Sequence, residues 1–416
     1  MDSSFRSVNL IKSLFGEGAD DGPSRNIFIS PASIYQTLTL AFMGAEGNTE
    51  EELATVMGID LAQTPRSEVI KNYLYERAFQ AIRDRDPNLG YQLTHANKLY
   101  FDRSLPLSQC FQLVLQDELE ALDFHNVDKA TGLINGWVKE KTRGKIAKLL
   151  PPDALDGGTK MALVNAAYFK GDWQSKFEKA ETKKDNFYVR RDKIRVAEFM
   201  HQKGKFNYYT SEELRAHVLE MPYNGDEISM MIILPPFEDN ALKVEINQIR
   251  KRLRSCHFGY YFLLFFPQET ASRLTPDTLK GVMAEIKSGF YSVDDLTVQL
   301  PRFKISQTHE LRQTLEALGL KTLFDPTSSE LGRFIDASAE GGGYDVPLNS
   351  ALHKSFIEVN EEGSEAAAAT ALFGFRSARP LFHTQFIADH PFAFLIYDKP
   401  ADQILFFGMY QDPDNN

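Results

Sequence analysis

Apolar and polar residues alternate along the chain in patterns that predict several strands. Met161 to Gly171 (M-A-L-V-N-A-A-Y-F-K-G) is almost continuously apolar, which is typical of a buried strand. Leu93 to Phe101 (L-T-H-A-N-K-L-Y-F) is predicted to be the first long strand of the main sheet. Phe386 to Pro413 contains two further apolar runs, and these predict the last two core strands.

The amino-terminal part of the chain is predicted to be mainly helical. An amphipathic helix is expected first, because apolar residues recur at helical spacing at Phe5, Val8, Ile11, Leu14 and Phe15. A strand over Asn26 to Ser30 should follow, since Pro31 cannot continue a strand ladder but suits the first turn of a helix. That second helix should stop within the glycine-containing stretch from Gly44 to Gly47.

Two further helices and a hairpin are predicted downstream. Thr49 and Glu52 have the spacing of a capping box, so a helix is expected to begin at Thr49. In the helix predicted over Glu68 to Arg85, acidic and basic residues are interleaved, which favours a solvated face. Two strands are predicted over 219–223 and 229–235, and Asn224-Gly225 between them predicts a β-hairpin turn.

The stretch from Phe356 to Pro380 contains two opposing signals. Phe356 to Val359 alternates bulky and polar residues like a half-buried strand, and Glu361-Glu362-Gly363 ends that pattern. Small residues follow, with Glu365 as the one charge before Arg376, so a mobile loop is expected. The same small side chains would let the segment slide between two existing strands. An alanine-rich linker or helix is the alternative, because alanine favours helices.

The segment from His353 to Gly363 (H-K-S-F-I-E-V-N-E-E-G) closely resembles the hinge of the serpins, a family of suicide protease inhibitors. The resemblance extends in family order through most of the chain, including Leu93 to Phe101, Met161 to Gly171 and the strands after Phe386. It is strongest for the ovalbumin-like branch, which lacks a signal peptide. It implies an α+β fold with many helices around a large central β-sheet, two smaller sheets and an exposed reactive-centre loop.

The resemblance also implies roles for particular positions. The chain should form a single domain, 1–416, with its reactive-centre loop at about 361–380. A hinge that inserts into the central sheet is expected at Glu361, Glu362, Gly363, Ser364, Glu365, Ala366, Ala367, Ala368, Ala369 and Thr370. A polar gate under the sheet is expected at Ser30, Ser33, Asn165 and His353, with Trp173 and Glu361 where the strands must part.

The bond that a protease would attack is predicted between Arg376 and Ser377. Arginine provides a charge-specific anchor for a trypsin-like pocket, whereas Arg379 is followed by Pro380. Family spacing counted from Glu361 would instead favour cleavage after Ser377 by an elastase-like enzyme. A chymotrypsin-like enzyme would cleave after Phe375, and the outer alternative is Ala378.

Composition and motifs exclude several other classes of protein. A net charge of −11 argues against nucleic acid as a partner. No zinc-protease, P-loop or nucleophile-elbow motif accompanies the nine histidines, so no catalytic residue, metal ligand or cofactor is predicted. The expected partner is a serine protease, held in a covalent complex. The competing hypotheses are an enzyme and a non-inhibitory serpin that acts as a binding protein or chaperone.

Two features of the sequence bear on partners and location. An insertion at about 238–272 carries a basic run, a candidate for weak polyanion contact, formed by Arg250, Lys251, Arg252 and Arg254. Two cysteines, with no signal peptide and no transmembrane-length run, favour a cytoplasmic protein or non-classical export. A monomer is expected.

Overall fold

The computed structural model describes nine stretches of the chain. These are residues 25–84, 86, 90–190, 193–236, 273–289, 291–336, 338, 346–362 and 384–415. The predicted amino-terminal helix, the insertion and the reactive-centre loop after Glu362 therefore lie outside the described residues.

Seven α-helices occur in the described part of the chain. They are α1 (Pro31–Gly44), α2 (Gly47–Met57), α3 (Arg66–Arg83), α4 (Gln109–Val114), α5 (Val127–Lys141), α6 (Pro276–Ser288) and α7 (Arg312–Ala317). The predicted start of α1 is confirmed: Pro31 occupies its first turn, and the Ser30 hydroxyl accepts from the Ser33 N–H at 3.2 Å. Within the described residues, no helix is both long enough and apolar enough to cross a membrane.

The predicted capping box at Thr49 is wrong. Helix α2 begins at Gly47, and its cap residue, Glu46, makes no side-chain capping bond. The carboxylate of Glu330 instead accepts from the Asn48 N–H at 2.6 Å. The Glu52 carboxylate accepts from the Thr322 N–H at 2.8 Å. A distant carboxylate caps the helix, so the local side chains bond elsewhere.

The prediction of a solvated face on α3 is wrong for Arg83. Its guanidinium lies 2.7 Å from the Asp398 carboxylate, and the two side chains are 11% and 2% exposed. Arg77 of the same helix pairs with Glu118 at 2.8 Å. Both basic side chains therefore form ion pairs with distant segments of the chain. The interleaving of acidic and basic residues in the sequence cannot distinguish such a paired side chain from a solvated one.

Fourteen strands lie within the described residues. They are β1 (Ile27–Ile29), β2 (Tyr91–Asp102), β3 (Leu119–Leu122), β4 (Met161–Gly171), β5 (Lys183–Arg190), β6 (Lys193–Ser211), β7 (Ala216–Pro222), β8 (Ile228–Leu234), β9 (Ser292–Pro301), β10 (Phe303–Glu310), β11 (Leu348–Val359), β12 (Gln385–Ile387), β13 (Phe392–Asp398) and β14 (Gln403–Tyr410). The strands predicted from Leu93, Met161 and Phe386 onward are all present. Strand β4 has the predicted bounds.

These strands form two sheets. The five-stranded sheet has the order β10-β11-β4-β2-β3. The nine-stranded sheet has the order β1-β14-β13-β8-β7-β6-β9-β12, with β5 also paired to β6. Strand β6 is 19 residues long and pairs with β5, β9 and β7 in turn, so it joins two groups of strands into one network. The expected α+β class is confirmed.

The β7–β8 hairpin is present, but its turn is longer than predicted. Pro222 pairs with Ser229, and the Tyr223 N–H donates to the Ile228 carbonyl at 2.9 Å. Positive φ angles occur at Gly225 (92°) and Asp226 (57°) rather than at Asn224. The left-handed positions are shifted by one residue from those of a two-residue turn.

Both faces of the five-stranded sheet are covered. On one face, Met161 and Leu163 pack into a cluster with the α1 residue Phe42. On the other face, Ala162 and Val164 belong to a second cluster, which includes α5. Alternate residues of β4 therefore enter different cores, which explains its continuous apolar pattern.

Candidate functional site

Strands β4 and β11 lie side by side in the middle of the five-stranded sheet. They are parallel and paired from Leu348↔Met161 to Ile357↔Phe169. We call this boundary the seam. Its mouth is the end at which β4 stops at Gly171 and β11 stops at Val359. Strand β10 lies on one side of the seam strands, and β2 and β3 lie on the other, so an additional central strand would have to part β4 from β11.

Three predicted gate residues meet halfway along the seam. His353 and Asn165 are register partners, and the His353 Nδ1 bonds directly to the Asn165 Oδ1. The Ser30 N–H points at the opposite ring nitrogen, Nε2, at 3.1 Å. Because Nε2 must accept this bond, the proton of a neutral imidazole lies on Nδ1 and is donated to Asn165.

The fourth predicted gate residue, Ser33, joins the same network. The Asn165 amide contacts the Ser33 carbonyl at 2.8 Å and the Ser33 hydroxyl at 2.9 Å. Two residues that the sequence analysis missed also contact this amide: Asn97 of β2 at 2.9 Å and Thr37 of α1 at 2.5 Å. The stretch from Leu93 to Phe101 also contains Thr94, His95 and Lys98, so no pattern in it singled out Asn97.

Burial keeps the histidines near the seam neutral. It lowers the pKa of His353 well below its ordinary value, and the charges of His309 and His95 would lower it further. Burial also lowers the pKa of His95 to about 4, and that of His309 below its usual range. The rings of His309 and His353 are stacked with centroids 6.2 Å apart. The gate is therefore a neutral hydrogen-bond network at physiological pH.

Trp173 closes the mouth of the seam. It is 2% exposed and stacks on Tyr223 with ring centroids 4.5 Å apart. Its indole N–H donates to the Asn360 carbonyl at 2.8 Å, just beyond the end of β11. Gly171 allows this packing, because a Cβ there would lie 2.4 Å from the Tyr223 ring.

The first two hinge residues are held at the same mouth. The Glu361 carbonyl accepts from the Phe177 N–H at 3.0 Å, and its carboxylate accepts from the Thr182 hydroxyl at 2.7 Å. The Glu362 carbonyl accepts from the Trp173 N–H at 3.4 Å, and its carboxylate pairs with Lys179. That pair is the main reason why the pKa of Glu362 lies below its ordinary value.

The remaining predicted site residues lie outside the described part of the chain. They comprise the hinge residues from Gly363 to Thr370, the four candidate residues 375–378 at the reactive bond, and the basic run 250–254. The strands on either side of the reactive-centre loop are described. They lie in different sheets: β11 precedes the loop, and β12, which pairs with β9 at the edge of the nine-stranded sheet, follows it.

The arrangement favours controlled opening of the sheet rather than catalysis. The groups under the seam are amides, hydroxyls and neutral imidazoles, which can exchange hydrogen-bond partners without burying a charge. Within the described residues, no group of three or more His, Cys, Asp or Glu side chains is placed to hold a metal ion.

Comparisons with known proteins identify relatives over the full length. The family model described as Serpin (serine protease inhibitor) matches residues 7–413. Serine protease inhibitor 88Ea of Drosophila melanogaster is 32% identical over 408 residues, which cover 94% of this chain and 86% of that protein. The leukocyte elastase inhibitor of Equus caballus is 34% identical over 408 residues, which cover 96% of each chain.

A solved structure has the same fold. Serine protease inhibitor (Serpin)-12 of Manduca sexta superimposes with a TM-score of 0.77 at 24% sequence identity, covering 99% of this chain and 98% of that one. At this identity the likeness concerns the fold alone.

Proposed function

The chain belongs to the serpin family, and on that premise we propose that it is a suicide inhibitor of trypsin-like serine endopeptidases. Its relatives are named as protease inhibitors rather than enzymes. The observation that carries the proposal is the seam, which is closed by exchangeable hydrogen bonds and leads at its mouth directly into the small-residue hinge.

In the proposed reaction, the protease treats the reactive-centre loop as a substrate. Its serine hydroxyl attacks the Arg376 carbonyl carbon, the peptide bond to Ser377 breaks, and Ser377 leaves as a free amine. An ester then joins Arg376 to the protease. Water would normally hydrolyse this ester, so inhibition depends on a competing step that is faster.

The competing step is insertion of the freed loop between β4 and β11. From Gly363 to Arg376 about thirteen residues, at roughly 3.4 Å each, would carry the attached protease about 44 Å. Insertion of the reactive-centre loop is the known serpin example of strand addition to a sheet, and the proposed step follows that mechanism. The small residues from Ser364 to Thr370 suit this step, because they bring little bulk into the sheet.

An elastase-like target is the second candidate. Family spacing counted from Glu361 puts Ser377 before the scissile bond, and the relative from Equus caballus is named a leukocyte elastase inhibitor. A chymotrypsin-like enzyme cleaving after Phe375 is the third. A non-inhibitory role is disfavoured because the hinge segment from Ser364 to Thr370 carries Glu365 as its single charge and no bulky residue.

The test is incubation of the protein with trypsin, elastase and chymotrypsin in parallel. We expect an SDS-stable complex with trypsin and release of a peptide that begins at Ser377, identified by mass spectrometry. Arg376→Ala should abolish the trypsin complex, whereas the matched control Arg379→Ala should leave it intact. Cleavage by all three enzymes without any stable complex would overturn the inhibitory function. A complex with a different released peptide would move only the reactive bond.

A further inference from the structure

The two sides of the mouth are bonded to each other through segments that extend the seam strands. Residues 360–362 continue β11, and residues 173–182 continue β4. Backbone or ring N–H groups of Trp173 and Phe177 donate across the mouth to the carbonyls of residues 360–362, at 2.8 to 3.4 Å. A strand that enters the seam from this end has to part these bonds first.

One contact across the mouth is an ion pair. The Lys179 ammonium bonds to the Glu362 carboxylate, with side chains 68% and 29% exposed. Lys176 and Lys170 add positive charge on the β4 side of the mouth. Their charges favour the ionised form of the Glu362 carboxylate and so lower its pKa further. Glu362 is therefore anionic at neutral pH and attracted to the segment that extends β4.

The position of Glu362 gives this pair its importance. It lies immediately before Gly363 and the small-residue segment that would be inserted. Its carbonyl is held by the Trp173 N–H and its carboxylate by Lys179, so both bonds restrain the same residue from leaving the mouth. A substitution of the Glu362 side chain would leave the backbone bond in place, whereas it would remove the ion pair.

We propose that Lys179 and Glu362 form an electrostatic latch that sets how fast the mouth of the seam opens for an incoming strand. This inference rests on the proposed function, because it concerns the insertion step of the same loop. Lys179 acts here as a positioning residue, since it restrains Glu362 and contacts neither the protease nor the reacting bond.

The ion pair should slow opening of the mouth by a small factor that decreases as the salt concentration rises. Partly exposed ion pairs are weak, so its loss should accelerate opening roughly 1.5- to 5-fold. High salt should accelerate opening of the wild type by a similar factor, because it screens the pair. A variant without the pair should respond less to salt. A purely structural role of Lys179 would not produce this difference.

The experiment measures uptake of a synthetic peptide with the sequence 364–375 by the uncleaved, full-length protein. Uptake can be followed by tryptophan fluorescence, to which Trp137 and Trp173 both contribute, and by native gel electrophoresis, at low and at high sodium chloride. The variants are Lys179→Ala, Glu362→Gln, their double variant and the conservative Lys179→Arg. The matched control is Lys183→Ala. It removes a nearby positive charge, but Lys183 pairs with Glu181 at 3.0 Å rather than with Glu362.

We expect faster uptake for both single variants, no further acceleration in the double variant, and wild-type uptake for Lys179→Arg and Lys183→Ala. Additive effects of the two single variants would show that the residues act independently and would overturn the latch. Equal acceleration by Lys183→Ala would assign the effect to overall charge, which also overturns it. No uptake by any form, together with no stable protease complex, would overturn the proposed function itself. The salt series on the wild type tests the latch even if a variant fails to fold.

Discussion

The side chains of His353 and Asn165 are bonded to each other across the seam between β11 and β4. The bond runs from one strand to the neighbour from which it would have to separate. The Ser30 N–H holds the other side of the imidazole at 3.1 Å. This relationship makes the polar network a closure of the sheet as well as a means of satisfying buried polar groups.

Asn165→Ala should weaken this closure. It leaves the buried His353 Nδ1–H without its partner, and an unsatisfied buried polar group costs about 1–3 kcal/mol. We expect a lower melting temperature by circular dichroism and faster peptide uptake. Asn186→Ala, on an exposed part of β5, is the control and should change little. A wild-type melting temperature for Asn165→Ala would show that the network carries no stability.

The free energy of unfolding should decrease as the pH is lowered below the ordinary pKa range of histidine. Burial lowers the pKa of His353, His309 and His95, so the folded protein holds them neutral while the unfolded chain binds protons below pH about 6.5. Their contribution is fully present above that pH and is lost progressively towards pH 4, where His95 titrates. Each histidine adds at most about 1.4 kcal/mol per pH unit.

Urea unfolding at pH 8, 7, 6 and 5 measures this dependence. His309→Gln should reduce the slope below pH 6.5, because it removes one of the groups whose pKa is lowered by burial. A free energy of unfolding that stays constant from pH 7 to pH 5 would contradict the prediction.

The Arg83–Asp398 pair should matter more for stability than a surface pair. Arg83→Ala leaves the nearly buried Asp398 carboxylate without its strongest partner, which costs about 3–5 kcal/mol for buried pairs. Arg312→Ala breaks an exposed pair with Glu316 and should cost about 1 kcal/mol at most. Thermal unfolding of the two variants compares them directly. Equal losses of stability in the two variants would contradict the prediction that burial makes the Arg83–Asp398 pair more important.

Cleavage of the reactive-centre loop should raise thermal stability sharply. In the proposed function the uncleaved protein is kinetically trapped, and release of the loop adds a strand to the five-stranded sheet. The measurement is the melting temperature before and after a single cut between residues 375 and 378, with the cut verified by mass spectrometry. An unchanged melting temperature would exclude insertion.

The register of the inserted loop follows from strand alternation. Glu365 must face solvent, because an unpaired carboxylate is too costly to bury. The even-numbered residues would then face the core, namely Ser364, Ala366, Ala368 and Thr370. The odd-numbered residues Ala367, Ala369 and Ala371 would face solvent, like Glu365. Thr370→Arg should therefore slow insertion and turn the inhibitor into a substrate.

Ala369→Arg is the matched control for this register, because its side chain would stay solvated. The stoichiometry of inhibition should rise strongly for Thr370→Arg or Ser364→Arg and only slightly for Ala369→Arg. Equal effects at positions 369 and 370 would rule out insertion in this register.

Local patterns in the sequence were sufficient for several of the strands and for one helix start. The strand-to-helix junction at Ser30-Pro31 depends on proline chemistry, and β4 depends on a continuous apolar run, so both could be predicted correctly. The family resemblance indicated the gate residues Ser30, Ser33, Asn165 and His353, and the structure brings all four together.

Tertiary structure alone decided which side chains become partners. Glu52 has the spacing of a local cap, yet it bonds to Thr322, because Glu330 already satisfies the start of its helix. Glu362 and Lys179 are distant in sequence and meet because two parallel strands end at the same edge of the sheet. Periodicity reports the face on which a residue lies. The identity of its partner depends on strand order and register, which arise from packing among distant segments.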